Sequence, residues 1–306
     1  MQESYTLGDL QNWEANGARA DPPVRLGVFG DPVAHSLSPQ LQNAALKSRE
    51  LNMRYARFQI AADELETALR LLPSLGFVGV NLTIPHKIAG AKVVDGLDDF
   101  ARKVGAINTV RIDGDKLIGS NTDGPGFAHG IRSEFSVDLR DLRVLLLGAG
   151  GGAGRAIAMQ CAVEGCERLV LVNRTSAKAQ QLAAELKPFF VDTRVSAPVR
   201  RLEAVPWEER ALRTQIANID LVVNATSLGL KRSDPPVLPA AWLAPHLVIY
   251  DTIYAPGRTA LLSAAADAGA RGANGLSMLL HQGALSFEAW FEREAPLAAM
   301  RAALGV

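Results

Sequence analysis

A strand that breaks into a glycine turn and then a helix constrains this chain more tightly than any other feature. The apolar run Val144 to Leu147 is followed at once by Gly148-Ala149-Gly150-Gly151-Gly152-Ala153, then by a helical pattern reaching about Glu164. Gly148, Gly150 and Ala153 make G-x-G-x-x-A in the strand-turn-helix setting that gives such a match its meaning. The first glycine permits the tight turn, the second lets a pyrophosphate approach the backbone, and the small third residue lets helix and strand pack closely. The free N–H groups of the helix start then face the phosphates. The alternation continues with strand Leu169 to Val172, helix Ser176 to Leu186, and strands near Val191 to Val195, Asp220 to Val223 and Leu247 to Tyr250. That is the βαβ order of a Rossmann dinucleotide-binding domain, expected over residues 131–277 with its boundary between about Phe127 and Arg140.

A second alternating series precedes it. Leu26 to Phe29, Tyr55 to Ile60 and Val78 to Leu82 read as strands, with helical patterns at Pro39 to Arg49 and Asp63 to Leu72 between them. In the latter, Leu65, Ala68, Leu69 and Leu72 make one apolar stripe, which Pro73 ends. Length agrees, because 306 residues exceed what one core usually holds. The expected fold is therefore α/β in two domains with a cleft between them. An α/β substrate-binding domain with a mostly parallel sheet covers residues 24–130, and the Rossmann domain follows. The final helical segment, about 278–306, has no strand after it; periodicity alone does not decide where it packs, and it is expected to join the first domain. Residues 1–23 read as an extension without a targeting pattern.

The end of the second Rossmann strand bears on the choice of dinucleotide. An acid there receives the ribose 2'-hydroxyl of NAD. Here Asn173-Arg174-Thr175 occupies the place, with Lys178 nearby and no carboxylate. An acid would repel a 2'-phosphate, whereas Arg pairs with it and Thr donates to it, so NADP is expected. Lys+Arg and Asp+Glu balance at 32 each, leaving no basic footprint for nucleic acid or an anionic membrane. No apolar run approaches the roughly 20 residues of a membrane span. The two cysteines, Cys161 and Cys166, fit neither a disulfide framework nor zinc spacing, and the five histidines are scattered. A reduced, cytoplasmic protein whose partner is a small molecule is the reading these features allow.

Three segments in the first half carry polar residues at suggestive places. His35-Ser36-Leu37-Ser38-Pro39 reads as a helix start with Ser38 as N-cap and Pro39 at the first turn. Its surplus hydroxyl, Ser36, would join Ser38 and the helix end in holding a carboxylate. Val80-Asn81-Leu82-Thr83-Ile84-Pro85-His86-Lys87 reads as a strand end with Asn81 and Thr83 on one face, then a turn presenting Lys87. In Asn121-Thr122-Asp123-Gly124, Asp123 reads equally as a helix cap or as a functional carboxylate.

Together with Gly105-Ala106-Ile107-Asn108-Thr109, Asn224-Ala225-Thr226-Ser227, Asp251-x-x-Tyr254-x-Pro256 and Gly275-Leu276-x-Met278-Leu279-x-x-Gln282, these motifs follow one order. In that order the chain resembles the shikimate dehydrogenase family from Val24 to Trp290. The resemblance implies reversible NADPH-dependent reduction of 3-dehydroshikimate to shikimate, a step toward chorismate and the aromatic amino acids. It implies that Lys87 and Asp123 are the catalytic pair and that Ser36 and Ser38 hold the substrate carboxylate. Asn81, Thr83, Asn108, Tyr254 and Gln282 would surround the ring. Asn173, Arg174, Thr175 and Lys178 would hold the 2'-phosphate, and Thr226, Thr252, Gly275 and Met278 would lie along the cofactor. Hydride delivered to a ketone leaves an alkoxide that Lys87 can protonate, with Asp123 orienting the ammonium. A monomer or homodimer is expected.

Departures from the family pattern stand at Gln42, where many members have His, at Ser120, and in the glycine turn, which carries one small residue more before Arg155. Two other readings compete. In a quinate-preferring relative Thr or Gly replaces the second Ser and an acid replaces Arg174, so Ser38 and Arg174 favour shikimate and NADP. A non-catalytic sensor of pathway intermediates would have lost Lys87 or Asp123, and both are present.

Overall fold

The computed structural model describes residues 4–15, 20–190, 201–231, 233–254 and 258–306. The strand expected near Val191 to Val195, and Pro256, lie outside the described residues. The chain divides into two compact units, Met1–Gly126 with Leu279–Val306, and Phe127–Met278.

In chain order the first unit holds α1 (Leu7–Gln11), β1 (Val24–Gly30), α2 (Ser38–Ser48), β2 (Arg54–Gln59), α3 (Leu65–Leu71), β3 (Gly79–Leu82), α4 (Lys87–Val93), β4 (Gly96–Leu97), α5 (Asp99–Val104), β5 (Thr109–Asp113) and β6 (Lys116–Ser120). Its strands run in the order β2-β1-β3-β5-β6-β4. β2, β1 and β3 are parallel, and the β5–β6 hairpin adds antiparallel to β3. β1 is buried at every residue but one, as expected of a strand covered on both faces. α3 buries Leu65, Ala68 and Leu69 on its apolar stripe. The hairpin closes through Gly114 at φ +59, a conformation that favours glycine.

Residues 4–15 of the N-terminal extension pack with the first unit. The Tyr5 N–H donates to the Arg57 carbonyl at 2.9 Å and the Gln59 N–H to the Tyr5 carbonyl at 2.8 Å, so the segment covers the open edge of β2. Thr6 and Asp9 form a capping box that starts α1. Leu10 and Trp13 are then buried in the unit's core, Trp13 with its ring 5.1 Å from that of Phe77.

α6 (Asp123–Phe135) carries the chain into the second unit, where β7 (Arg143–Leu147), α7 (Gly152–Val163), β8 (Arg168–Val172), α8 (Ser176–Leu186), β9 (Leu202–Val205), α9 (Glu209–Ile216), β10 (Leu221–Asn224), β11 (Val248–Asp251), α10 (Ala260–Asp267) and β12 (Arg271–Asn274) follow. Its sheet, β12-β11-β10-β7-β8-β9, is parallel throughout. This is the Rossmann order, with the reversal of strand order between β7 and β10. The aliphatic residues of β7, β8 and β10 are fully buried, and Leu145, Leu147, Val170, Val172 and Val222 form one core with apolar residues of α9 and α10.

The last helices are α11 (Leu276–Phe291) and α12 (Leu297–Leu304). From Leu279 onward they pack with the first unit: the Trp290 indole donates to the Val110 carbonyl at 3.0 Å, and Arg49 to the Glu294 carbonyl at 2.6 Å. Among the described residues no helix is long and apolar enough to cross a membrane.

Candidate active site and cofactor turn

At the end of β3 the backbone turns through Thr83, Ile84 and Pro85, the His86 N–H donating to the Thr83 carbonyl at 2.8 Å. The buried His86 imidazole anchors this turn by its 2.8 Å bond to the Ile60 carbonyl. Burial holds its pKa below the ordinary value, against the pull of the Ile60 carbonyl and Asp31. Lys87 follows as the first residue of α4, its carbonyl fixed by the Ile107 N–H at 2.8 Å.

A cation at the positive end of a helix is badly placed unless an anion faces it. Asp123 is that anion, with Lys87 Nζ 2.6 Å from its Oδ2 and the two side chains only 15% and 5% exposed. Asp123 begins α6, where a carboxylate is favoured, and its own N–H is taken by Asn121 Oδ1 at 3.0 Å. Asn121 does the capping, which leaves both carboxylate oxygens of Asp123 for other work. The second of them accepts from Asn108 Nδ2 at 3.0 Å.

Asn108 ties this pair to a buried polar network. Its amide also reaches Gln282 Oε1 at 3.1 Å and Thr122 Oγ1 at 2.9 Å, while its carbonyl accepts the Thr122 N–H at 2.8 Å. Asn81 accepts from the Tyr55 hydroxyl at 2.8 Å and donates to Thr109 at 3.1 Å and Ser286 at 3.0 Å. The Ser286 hydroxyl bonds Thr109 at 2.8 Å and Thr122 at 3.2 Å. The structure thus brings together Lys87, Asp123, Asn108, Gln282 and Asn81. The side chains of Ser36, Ser38 and Thr83 carry no hydrogen bond to this network among the described residues.

Ser38 corrects one expectation. α2 begins at Ser38, and Leu37 stands at the cap with helical backbone and no side-chain bond. The Ser38 N–H is instead met by Ser36 Oγ at 3.3 Å. Leu37 is already wound into the helix, so the capping hydroxyl is supplied one residue before it.

In the second unit Gly148 adopts φ +90, and a Cβ there would meet the Ala225 backbone at 2.7 Å. The Gly150 N–H donates to Asn173 Oδ1 at 3.2 Å, tying the turn to the end of β8. The sequence pattern makes Ala153 the small residue packed against the turn, and the structure gives that place to Gly154. A Cβ on Gly154 would lie 2.2 Å from the Gly148 carbonyl oxygen, whereas Ala153 is half-buried. The extra small residue in the turn moves the close approach along by one position.

Whether this turn suits a dinucleotide is answered by what surrounds it. Gly151 stands at the cap of α7 without a side chain to bond its first-turn N–H groups, and a Cβ there would meet nothing nearer than 3.8 Å. Arg174, Thr175 and Lys178 are exposed, and Thr175 spends no hydroxyl on capping α8. Ala149 is buried beneath the turn. Beside the turn, just after the end of β10, Thr226 is held by its two bonds to Asn224 Oδ1, and Asn224 Nδ2 reaches Asp251 at 2.9 Å. Burial raises the Asp251 pKa, against hydrogen bonds from Thr259, Ile253 and Asn224 that lower it. This network secures the chain leading to Thr252 and Tyr254. Gly275 packs on the Thr252 backbone, where a Cβ would meet its oxygen at 2.1 Å. The Met278 N–H donates to the Tyr250 hydroxyl at 3.0 Å. The glycine turn, the uncapped start of α7 and the exposed Arg174, Thr175 and Lys178 fit the chemistry of a phosphorylated dinucleotide.

The curated shikimate dehydrogenase (NADP(+)) of Methanopyrus kandleri is 41% identical over 281 residues, covering 91% of this chain and 94% of that protein. The chain belongs to the shikimate dehydrogenase family. Models of the shikimate dehydrogenase substrate binding domain, of shikimate / quinate 5-dehydrogenase and of the shikimate 5'-dehydrogenase C-terminal domain match residues 28–110, 131–230 and 275–304. The relative from Symbiobacterium thermophilum, named shikimate dehydrogenase (NADP(+)), is 41% identical over 280 residues, 91% of this chain and 92% of its own. The crystal structure of shikimate 5-dehydrogenase from Thermus thermophilus in complex with NADP(H) and shikimate is similar at TM-score 0.79 and 34% identity, covering 92% of this chain and 98% of that one. Gln42, where a departure from the family pattern is expected, is buried, and its amide donates to the Gly283 carbonyl of α11 at 2.8 Å.

Two site residues have no signal in the sequence. Tyr55 and Ser286 lie outside the ordered motifs. Thr109 and Thr122 fall inside motifs, but nothing in the pattern distinguishes them from their neighbours.

Proposed function

We propose that this chain is an NADP-dependent shikimate dehydrogenase that interconverts 3-dehydroshikimate and shikimate, with Lys87 and Asp123 as its proton-transfer pair. The observation that carries the roles is the 2.6 Å contact between Lys87 Nζ and Asp123 Oδ2 at the C-terminal end of β3. NADPH, when bound, supplies the hydride. Lys87 donates a proton to the developing alkoxide, and in reverse its neutral amine takes the proton back. Asp123 fixes the direction of the ammonium, and Asn108, bonded to Asp123 and Gln282, fixes Asp123. Ser36, Ser38 and the N-terminus of α2 hold the substrate carboxylate. Asn81, Thr83, Asn108, Gln282 and Tyr254 hold the ring hydroxyls.

Gly148 to Ala153 would receive the pyrophosphate of NADP. Arg174, Thr175, Lys178 and Asn173 would receive its 2'-phosphate, and Thr226, Thr252, Gly275 and Met278 the remainder. We place the enzyme in the cytoplasm as a monomer or homodimer, a setting in keeping with two free, buried cysteines.

Nicotinamide absorbance with shikimate and quinate, each against NADP and NAD, tests the reading. The shikimate/NADP pair should lead by at least about tenfold in kcat/KM, a gap of about 1.4 kcal/mol. A lead for quinate with NAD would overturn it. Lys87→Ala should lose about a hundredfold to ten-thousandfold in kcat with NADP affinity kept. Near-normal turnover would remove Lys87 from the mechanism.

A further inference from the structure

The first unit holds a second fixed cation on the side of the sheet that carries the site. Arg57 in β2 pairs with Val28 in β1, and Val28 pairs with Asn81 in β3. Residues in one row of a parallel sheet share a face, so Arg57 projects on the face of Asn81. Tyr55, two residues earlier on β2, reaches Asn81 from that face. The Arg57 guanidinium donates from Nε at 3.2 Å and from Nη2 at 2.8 Å to the Ser36 carbonyl.

That carbonyl belongs to the turn whose two hydroxyls lie at the N-terminus of α2. Arg57 is half-buried, and none of the ion pairs among the described residues includes it. A partly desolvated charge bound only to a neutral acceptor is costly until an anion joins it. A guanidinium has five N–H donors, of which Ser36 takes two.

We propose that Arg57 is a specificity residue of this enzyme, supplying the counter-charge for the substrate carboxylate beside Ser36 and Ser38. The inference rests on the functional reading above and adds to it a cation that the two serines lack. Ser36 and Ser38 alone would accept a neutral ester about as readily as an acid, because hydroxyls hydrogen-bond both. Arg57 makes the site choose the anion.

Steady-state kinetics at saturating NADP, with shikimate and its methyl ester, separate this role from a structural one. Arg57→Gln should raise KM for shikimate by about tenfold to a hundredfold, leave kcat within about threefold, and leave KM for the ester near its original value. Arg57→Lys should recover part of the loss, as a charge without the fork. In the unaltered enzyme kcat/KM for shikimate should fall with added salt more steeply than for the ester. Equal impairment of acid and ester would show that Arg57 only holds the Ser36 carbonyl, and would overturn the proposal. So would equal salt dependence of the two substrates, which needs no variant and decides the matter if Arg57→Gln does not fold. Failure of the unaltered enzyme to oxidise shikimate at all would overturn the functional reading itself, and this proposal with it.

Discussion

Replacing Gly154 by alanine sets two placements of the cofactor turn against each other. The first-turn position of α7 leaves no room for a methyl group: the added Cβ would stand 2.2 Å from the Gly148 oxygen and 3.0 Å from Ala149 Cα. Ordinary contact begins at 3.4 Å, so α7 must retreat from the turn by the difference, 3.4 − 2.2 = 1.2 Å. The obstruction is backbone, which cannot swing aside as a side chain can. Overpacking of this kind costs about 3 kcal/mol. Alanine in place of a helical glycine recovers about 1 kcal/mol. The net loss of about 2 kcal/mol lowers Tm by roughly 4–8 °C for a unit of this size. NADP affinity should fall too, because the N–H groups at the head of α7 move with the helix. Gly151→Ala is the control, since its Cβ would meet nothing nearer than 3.8 Å and its backbone, at φ −87 and ψ 167, suits alanine. Its Tm should lie within about 3 °C of the unaltered protein, the cost of the exchange at a helix cap being under about 1 kcal/mol. Thermal unfolding followed by circular dichroism, with an NADP titration of each variant, reads both quantities. A Gly154→Ala protein that melts within about 1 °C of the unaltered one and binds NADP normally would refute the assignment, and return the third small position to Ala153.

Two further outcomes follow from the same structure. Arg174→Ala should weaken NADP by about tenfold to a hundredfold and leave NAD unchanged, the worth of one charge-assisted bond to the 2'-phosphate; titration with both cofactors checks it, and equal loss for the two would place Arg174 elsewhere. His86, its pKa held below about 6.5 by burial, takes up a proton more readily unfolded than folded. Unfolding therefore binds protons as pH falls below about 6.5, and stability falls with it until the folded pKa is passed. Tm measured between pH 7.5 and 5 should decline less steeply in His86→Gln than in the unaltered protein, and parallel curves would show that His86 contributes nothing to the slope.

What the sequence discloses and what it conceals divide by the distance over which residues act. The cofactor turn is legible because its demands are local: a strand end, a glycine that must take positive φ, and small residues that let a helix start close by. Even there, which small residue packs inward depends on how many precede it, and one extra residue moves the role from Ala153 to Gly154. The hairpin of β5 and β6 is equally local, carried by the two-residue turn Gly114-Asp115 between Asp113 and Lys116, but it breaks the parallel alternation of the strands before it. The N-terminal segment is harder to read, for the opposite reason. Its capping box can be read, but the edge of β2 that gives Tyr5 a partner lies some fifty residues away.

Asp123 shows most clearly why a motif needs a fold to assign its roles. An Asp just before a helical pattern caps it by default, and Asn121 two residues earlier competes for the same task. Once Asn121 Oδ1 holds the Asp123 N–H, the carboxylate has no helix duty left. Which partners it then finds depends on Lys87, which is 36 residues away, and on Asn108, which is itself held by Gln282 at a separation of 174. Ser286 closes the same circuit to Thr109 across 177 residues. No periodicity reports such separations. The ordered motifs therefore name the chemical groups, while the buried hydroxyls and amides that hold them at fixed angles emerge only when β3, β5 and α11 meet. Loss of Ser286 should accordingly act on kcat through Asn108 and Asp123 while NADP affinity stays unchanged. Ser286→Ala leaves Thr109 and Thr122 to pair with each other at 3.5 Å, and a kcat unchanged from the unaltered enzyme would show that the Lys87–Asp123 pair needs no such support.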